Sequence, residues 1–261
     1  MIKCFYAANK PNYGDMLTPI ILKWISGETS IHVKGTEEGK LLCIGSGMNR
    51  WLRKNDIVWG YGSRNTDKHG RIIVPAGIQF LAVRGRMTRD NILKDNHGIE
   101  VTEVYGDPAS LMPLIYKPKV KKEYEVGLIP HYIDKSRFHV LNPKIKIINV
   151  FDKPYKIIDD INKCNVIIST SLHGTITAEA YGIPVVWLQA SNKVIGGWFK
   201  FNDYFSGTGR GIQQPIDMTR QKEINSKDIF FIKKNILPPP TFDTDSLIKA
   251  WKRCDIERIK K

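Results

Sequence analysis

Apolar residues in this chain fall into short runs rich in Val and Ile, and between the runs they recur at helical spacing. The runs Met1–Ala7, Lys40–Gly45, Asp56–Tyr61, Arg71–Pro75, Phe80–Arg84, Val101–Tyr105, Glu125–Pro130, Ile145–Val150, Asn165–Ser169 and Ile183–Leu188 predict buried strands of the parallel kind. Helices are predicted over Met16–Ser26, Arg86–Asn96, Lys156–Lys163 and Thr175–Tyr181. In the first, Leu17, Ile20, Ile21, Trp24 and Ile25 share one face. The second continues past Thr88 to His97-Gly98, where a glycine suits the helix end. Strands alternating with helices imply right-handed crossovers and an open α/β sheet.

The alternation breaks at Lys117-Pro118-Lys119-Val120-Lys121-Lys122, a charged stretch with a proline that reads as a linker. It divides the chain into halves of roughly 1–116 and 123–215, followed by an extension over 216–261. Residues 192–220, rich in Gly, Lys and aromatic side chains, read as a long loop of the kind that carries function. Asp243–Lys261 reads as a basic amphipathic helix with Leu247, Ile248, Trp251, Cys254 and Ile256 near its apolar side. That side packs either across a domain or on a membrane surface.

Composition narrows the class. A chain of 261 residues with 42% apolar and 25% charged residues is globular and holds one large domain or two small ones. Its apolar runs are too short to span a membrane, and the opening run is too short for a signal peptide, so a cytoplasmic protein is expected. Cys4, Cys43, Cys164 and Cys254 lie far apart, which points to free thiols and away from a metal site. The net charge of +14 favours anionic partners or a Lys-rich solvated surface. Neither an arginine-rich arm nor an aromatic RNA-binding signature accompanies the charge, so nucleic acid is not the expected partner.

The chemistry gathers where strands end. Asn12-Tyr13-Gly14-Asp15 follows the first strand and opens the first helix, so Asp15 is either a helix cap or a substrate ligand. Gly45-Ser46-Gly47 and Gly60-Tyr61-Gly62-Ser63 follow two further strands, and such turns form anion-binding floors in parallel sheets. Neither is a dinucleotide or P-loop fingerprint. Arg84, at the end of a strand, offers a fork to a carboxylate or phosphate, or else a salt bridge to Asp107. The densest signal is Ser169-Thr170-Ser171-Leu172-His173-Gly174-Thr175, a strand running through hydroxyls into a helix that includes Glu179. Hydroxyls and amides there suit an anion, and His173 suits proton transfer near neutral pH. His131 occupies a similar strand end.

Taken in order, Asn12-Tyr13-Gly14-Asp15, Gly45-Ser46-Gly47, Val83-Arg84-Gly85, Gly106-Asp107-Pro108-Ala109, Pro130-His131, Ser171-Leu172-His173-Gly174 and Glu179-Ala180-Tyr181-Gly182-Ile183-Pro184 resemble the polysaccharide pyruvyl transferase family. The resemblance is closest to the short ketal pyruvyltransferases of bacterial exopolysaccharide and capsule assembly. It implies two Rossmann-like domains arranged as in the GT-B glycosyltransferases, with the active site in the cleft between them. It implies phosphoenolpyruvate as co-substrate, with no other cofactor and no metal. The implied acceptor is a sugar diol, expected to be lipid-linked at the inner face of the plasma membrane. His173 and Arg84 would be the catalytic and donor-contacting residues. Asn12, Asp15, Gly45, Ser46, Gly47, His131, Ser171, Gly174, Thr175, Glu179 and Lys193 would line the substrates. Many family members carry Arg immediately before Leu-His-Gly, where this chain has Ser171. Arg137, Lys193, Lys200 and Arg210 are the cations available to replace it. A nucleotide-sugar glycosyltransferase and a non-catalytic basic binding protein are the alternative readings.

Overall fold

The computed structural model describes residues 1–7, 12–238 and 240–261. Short runs of β-branched residues become two parallel five-stranded sheets, each covered on both faces, so this is an α/β protein consistent with two Rossmann-like domains. The first sheet contains β1 (Ile2–Phe5), β2 (Ser30–His32), β3 (Leu41–Leu42), β4 (Ile57–Tyr61) and β5 (Gln79–Val83), in the order β2-β1-β3-β4-β5. After it come β6 (Tyr124–Ile129), β7 (Phe138–His139), β8 (Ile145–Ile147), β9 (Cys164–Ser169), β10 (Val185–Gln189), β11 (Ile216–Asp217) and β12 (Ile224–Asn225). The second sheet has the order β11-β10-β9-β6-β8, and β7 pairs with β12 apart from it.

Both sheets follow one rule. The earliest strand sits inside, its successor lies to one side, and the rest are added on the other. Each sheet therefore has a topological switch point, between β1 and β3 in the first and between β6 and β9 in the second. Loops leaving the carboxyl ends of such strands diverge and open a crevice.

The strands carry two-sided cores. Ile57 and Trp59 of β4 point into a core shared with Ile167 of β9 and with Val185 and Trp187 of β10. Val58 and Tyr61 face the outer layer of the first sheet, and Val126, Leu128, Ile168 and Val186 face that of the second. The shared core joins the sheets. Tyr13 reinforces the junction, donating its hydroxyl to Thr177 Oγ1 at 2.8 Å and its backbone N–H to Val150 O at 2.8 Å.

Several sequence expectations need correction. Arg71–Pro75 forms no strand, because the Ile72 and Val74 N–H groups are taken by the side chains of Asp95 (2.8 Å) and Asn96 (2.9 Å). Val101–Tyr105 makes a single bridge, Tyr105 to Val83. β2 and β11, the short edge strands, were not predicted. Residues 192–220 are not one loop, since Gly197–Gly207 is a helix of 11 residues. The C-terminal helix is shorter than expected, Thr244–Trp251, and Leu247 and Trp251 are spent on the shared core. Trp251 packs on Trp59 with ring centroids 4.9 Å apart, and Trp59 Nε1 donates to Leu247 O at 3.0 Å. No helix among the described residues is long and apolar enough to cross a membrane.

The helix Gly197–Gly207 joins the two sheets. Phe201 stacks on Trp187 of β10 at 4.7 Å. Two residues later, Asp203 accepts from Arg84 Nε at 2.8 Å, from the Thr88 N–H at 2.6 Å and from the Thr88 hydroxyl at 2.7 Å. Both members of the Arg84–Asp203 pair have no side-chain exposure. Truncating one partner strands the other charge in the interior. Asp203→Ala is therefore expected to lower the unfolding free energy by about 3–5 kcal/mol, read from denaturant titration.

Candidate active site

The two switch points face each other across a cavity of about 190 Å³. From the first sheet come Asn12 and Asp15 after β1, Gly45 and Ser46 after β3, and Tyr61 and Arg64 at the end of β4 and just beyond. From the second come His131 and Tyr132 after β6, and Ser171 and His173 after β9. Lys200 reaches in from the helix Gly197–Gly207.

His173 sits at the start of the helix Leu172–Ala180. Its Nε2 lies 3.6 Å from Asp107 Oδ2, longer than a hydrogen bond but close enough to steer a charged ring. Among the described residues neither atom has a hydrogen-bond partner. The other side of the ring lies against Gly14, where any Cβ would overlap the imidazole. This is the reason the first helix opens with glycine, and it is a contact between the switch points of the two sheets. Gly45 is the second required glycine, with φ at +140° and the Tyr61 ring where a side chain would go.

Asp15 is nearly buried and receives a hydrogen bond from Asn12 Nδ2. Burial pushes its carboxyl up to about 6, against the opposing pull of His173 and Asn12. His131 moves the other way. Burial, then the charges of Lys200 and His173, pushes its imidazole down to about 3, so the ring is neutral at physiological pH. Its backbone N–H donates to Thr170 Oγ1 at 2.7 Å, which pins the end of β6 to the end of β9.

Other expected site residues lie elsewhere. Arg84 does not line the cavity. Its donors go to Asp203, to Gly45 O, to the Ser46 hydroxyl and to Ser63 O at 3.1 Å, which leaves no fork for a ligand. It supports the Gly45-Ser46 turn from behind. Asp107 is not its partner and faces His173. Glu179 is paired with Arg210 at 2.7 Å and accepts from the Tyr204 hydroxyl at 2.6 Å, below the site. Thr175 Oγ1 donates to Ser171 O at 3.2 Å, and Gly174 packs on Ile129 and Ser169. Gly47 is in the turn but outside the cavity, with its N–H on Gly62 O.

Of the four spare cations, Arg210 is held by Glu179, and Arg137 donates to the backbone carbonyls of Met218, Thr219 and Gln221. Lys193 lines a neighbouring cavity of about 450 Å³ with Gln189, Asn192 and Trp198, which touches the first at Ile195. Lys200 alone of the four enters the main cavity. Arg64, not singled out in the sequence, joins it there with Nε on Ser46 O at 2.8 Å. Its signal was its place two residues after the Gly60-Tyr61-Gly62 turn.

Because the folded state holds the Asp15 proton up to about pH 6 and an unfolded aspartate releases it near 3.8, the folded form binds more protons in that window. Stability should therefore fall as pH rises from about 4 to 6, by a contribution on the order of 3 kcal/mol. Asp15→Asn is expected to remove that part of the slope in denaturation curves recorded across the window.

A family model for polysaccharide pyruvyl transferase matches residues 12–192. The chain is 30% identical over 220 residues to "Uncharacterized protein L143" of Acanthamoeba polyphaga mimivirus, covering 78% of this chain and 70% of that one. It also aligns with the crystal structure of a functionally uncharacterized protein, KP1_0663, from Klebsiella pneumoniae. That alignment has a TM-score of 0.45 at 15% identity and covers 86% of this chain and 92% of that one. With its matched segment spanning most of the sequence and both halves of the cavity, the chain belongs to the polysaccharide pyruvyl transferase family.

Proposed function

We propose that the protein transfers the enolpyruvyl unit of phosphoenolpyruvate to two hydroxyls of one sugar, forming a cyclic pyruvate ketal and releasing phosphate. The observation that carries this reading is the contact of His173 with Gly14 and Asp107, which brings the Ser-Leu-His-Gly turn and the first-sheet turns into one small cavity. The cavity is on the scale of a three-carbon phosphorylated acid.

In the transfer, C3 of the enol gains a proton. C2 forms two bonds to sugar oxygens and loses its bond to the phosphate oxygen. Each hydroxyl gives up a proton. One balances the proton taken by C3, and the other leaves on the phosphate. The reaction therefore asks for proton transfer and charge neutralisation. His173, steered by Asp107, moves a proton at the incoming hydroxyl or the departing phosphate. Asp15, with its carboxyl pushed up to about 6 by burial, is also able to hold a proton close to neutrality. Ser46 and Ser171 supply hydroxyls to the substrates.

The neighbouring cavity suits the acceptor, because Trp198 offers an aromatic face and Gln189, Asn192 and Lys193 offer polar groups to a sugar. A hexose such as galactose on a lipid carrier would place the reaction at the cytoplasmic face of a membrane, in surface polysaccharide synthesis. The net charge of +14 would favour an anionic lipid surface there, through charge alone, since the apolar side of the C-terminal helix is already packed.

The test is phosphate release from phosphoenolpyruvate over a panel of free and lipid-linked galactosides, glucosides and mannosides, with mass analysis of the products. One acceptor should gain a pyruvate less one water. Nucleotide release from a nucleotide sugar, with phosphoenolpyruvate inert, would replace this reading with a glycosyltransferase. His173→Ala should lower phosphate release about 10²–10⁴-fold with the fold intact. Gly14→Ala, which displaces the imidazole without removing it, should lower it about 10²-fold.

A further inference from the structure

Lys200 stands apart from the other buried charges. It is 8% exposed and lines the cavity, and among the described residues its Nζ makes no hydrogen bond or ion pair. Its Nζ lies 5.8 Å from the ring centroid of its neighbour Phe201. The other fully enclosed lysine, Lys40, has Asp56 at 2.6 Å and a backbone carbonyl at 2.7 Å. A lysine taken out of water without a counter-charge is unfavourable, and folds keep one where something else supplies the charge.

The groups around Lys200 sharpen the point. Arg84 at the end of β5 and Arg64 beyond β4 repel it, and Asp134 beyond β6 attracts it without reaching ion-pair distance. Asp134 is engaged by the Ser191 hydroxyl. Asp203, on the same helix, is consumed by Arg84 and Thr88. His131 and His173 face the same cavity and add no negative charge, and Asp15 lies at its first-sheet wall. Among the described residues Lys200 thus has no ion-pair partner, and Arg64 and the hydroxyls of Ser46 and Ser171 line the same cavity. Lys200 also lies beyond the segment matched by the family model, which ends at residue 192.

We infer that Lys200 is a donor-binding residue, whose ammonium group pairs with the phosphoryl group of the bound phosphoenolpyruvate and takes up a proton when that group arrives. The inference rests on the donor proposed above. Burial, followed by repulsion from Arg84 and Arg64, pushes the ammonium down to about 7 in the empty site. A dianion at close range reverses that and restores the charge. Above pH 7 the empty enzyme must therefore gain a proton to bind, and affinity should fall by up to tenfold per pH unit. The helix Gly197–Gly207 fixes the lysine in place, since Phe201 and Asp203 anchor it on either side.

The test is calorimetric titration of phosphoenolpyruvate, and separately of inorganic phosphate, into the full chain at pH 7.5 and 8.5, in buffers of different ionisation enthalpy. Wild-type protein should take up close to one more proton per ligand bound at pH 8.5 than Lys200→Arg, whose charge is permanent. Lys200→Arg should also lose the fall in affinity between the two pH values. Lys200→Met, near in shape and uncharged, should bind at least tenfold more weakly while melting no lower than wild type, because it removes an uncompensated buried charge. Equal affinity and equal proton uptake in wild type, Lys200→Met and Lys200→Arg would overturn the inference. A marked loss of stability in Lys200→Met, with binding by Lys200→Arg unchanged in both affinity and pH slope, would make the lysine structural and overturn it too. If wild type ignores phosphoenolpyruvate but binds phosphate through Lys200, the donor proposed above is wrong and the anion-pairing role of Lys200 survives. If it binds neither, both fall.

Discussion

The ion pair between Arg84 and Asp203 is completely enclosed, and much of the molecule takes its position from it. A buried pair adds little net stability compared with well-packed apolar residues, but breaking it is expensive, so the geometry it imposes is rigid. Arg84 follows β5 of the first sheet and Asp203 lies on the helix that connects β10 to β11 of the second. The same arginine holds Gly45 O and the Ser46 hydroxyl, and so shapes one wall of the cavity. The same helix stacks Phe201 on the second sheet and sends Lys200 into the cavity. One interaction thus fixes both a turn of the first sheet and a cation from a connection within the second.

Around that constraint the cavity follows from topology. Two sheets with the same strand order present their switch points to each other, and the side chains at those points have little freedom of place. His173 is confined between Asp107 and the bare backbone of Gly14. Its environment comes almost wholly from the first sheet, although the residue belongs to the second. The charges in the cavity are also unevenly satisfied. The carboxyl of Asp15 is held up and the imidazole of His131 held down by the same burial, and among the described residues Lys200 has no ion-pair partner. Perturbed ionisable groups gathered in one cavity are the mark of a functional site more than of a structural one.

Much of this was legible in the sequence. The Val- and Ile-rich runs marked β1, β4, β5, β6, β9 and β10, because fully buried parallel strands need continuous apolar residues. Glycine turns after strands marked the switch points, and Ser-Leu-His-Gly marked the residue at their centre. Edge strands such as β2 and β11 were missed because two or three paired residues leave no periodic signal. The helix Gly197–Gly207 was missed for a different reason. Asn202 and Asp203 are buried alongside its aromatic residues, so it shows no polar outer face, and two glycines precede its apolar residues. Arg84 reads as a ligand fork or a salt bridge to Asp107, and the structure pairs it with Asp203, because a strand-end arginine looks the same whether its fork meets a ligand, a nearby aspartate or one from a distant helix.

The sequence by itself determined the class of fold, the positions of the turns and the identity of the family, since each of these is written in local pattern: periodicity, glycine placement and short ordered motifs. Tertiary structure alone decided which cations are free. Arg84, Arg137, Arg210, Lys193 and Lys200 are equivalent as letters, and they differ only in whether an acceptor from a remote part of the chain reaches them. That depends on how two sheets and one bridging helix are docked, through contacts between residues more than a hundred positions apart such as Arg84 and Asp203. Local pattern carries no trace of such pairing, because the partner's distance along the chain is set by the fold and not by any period within it.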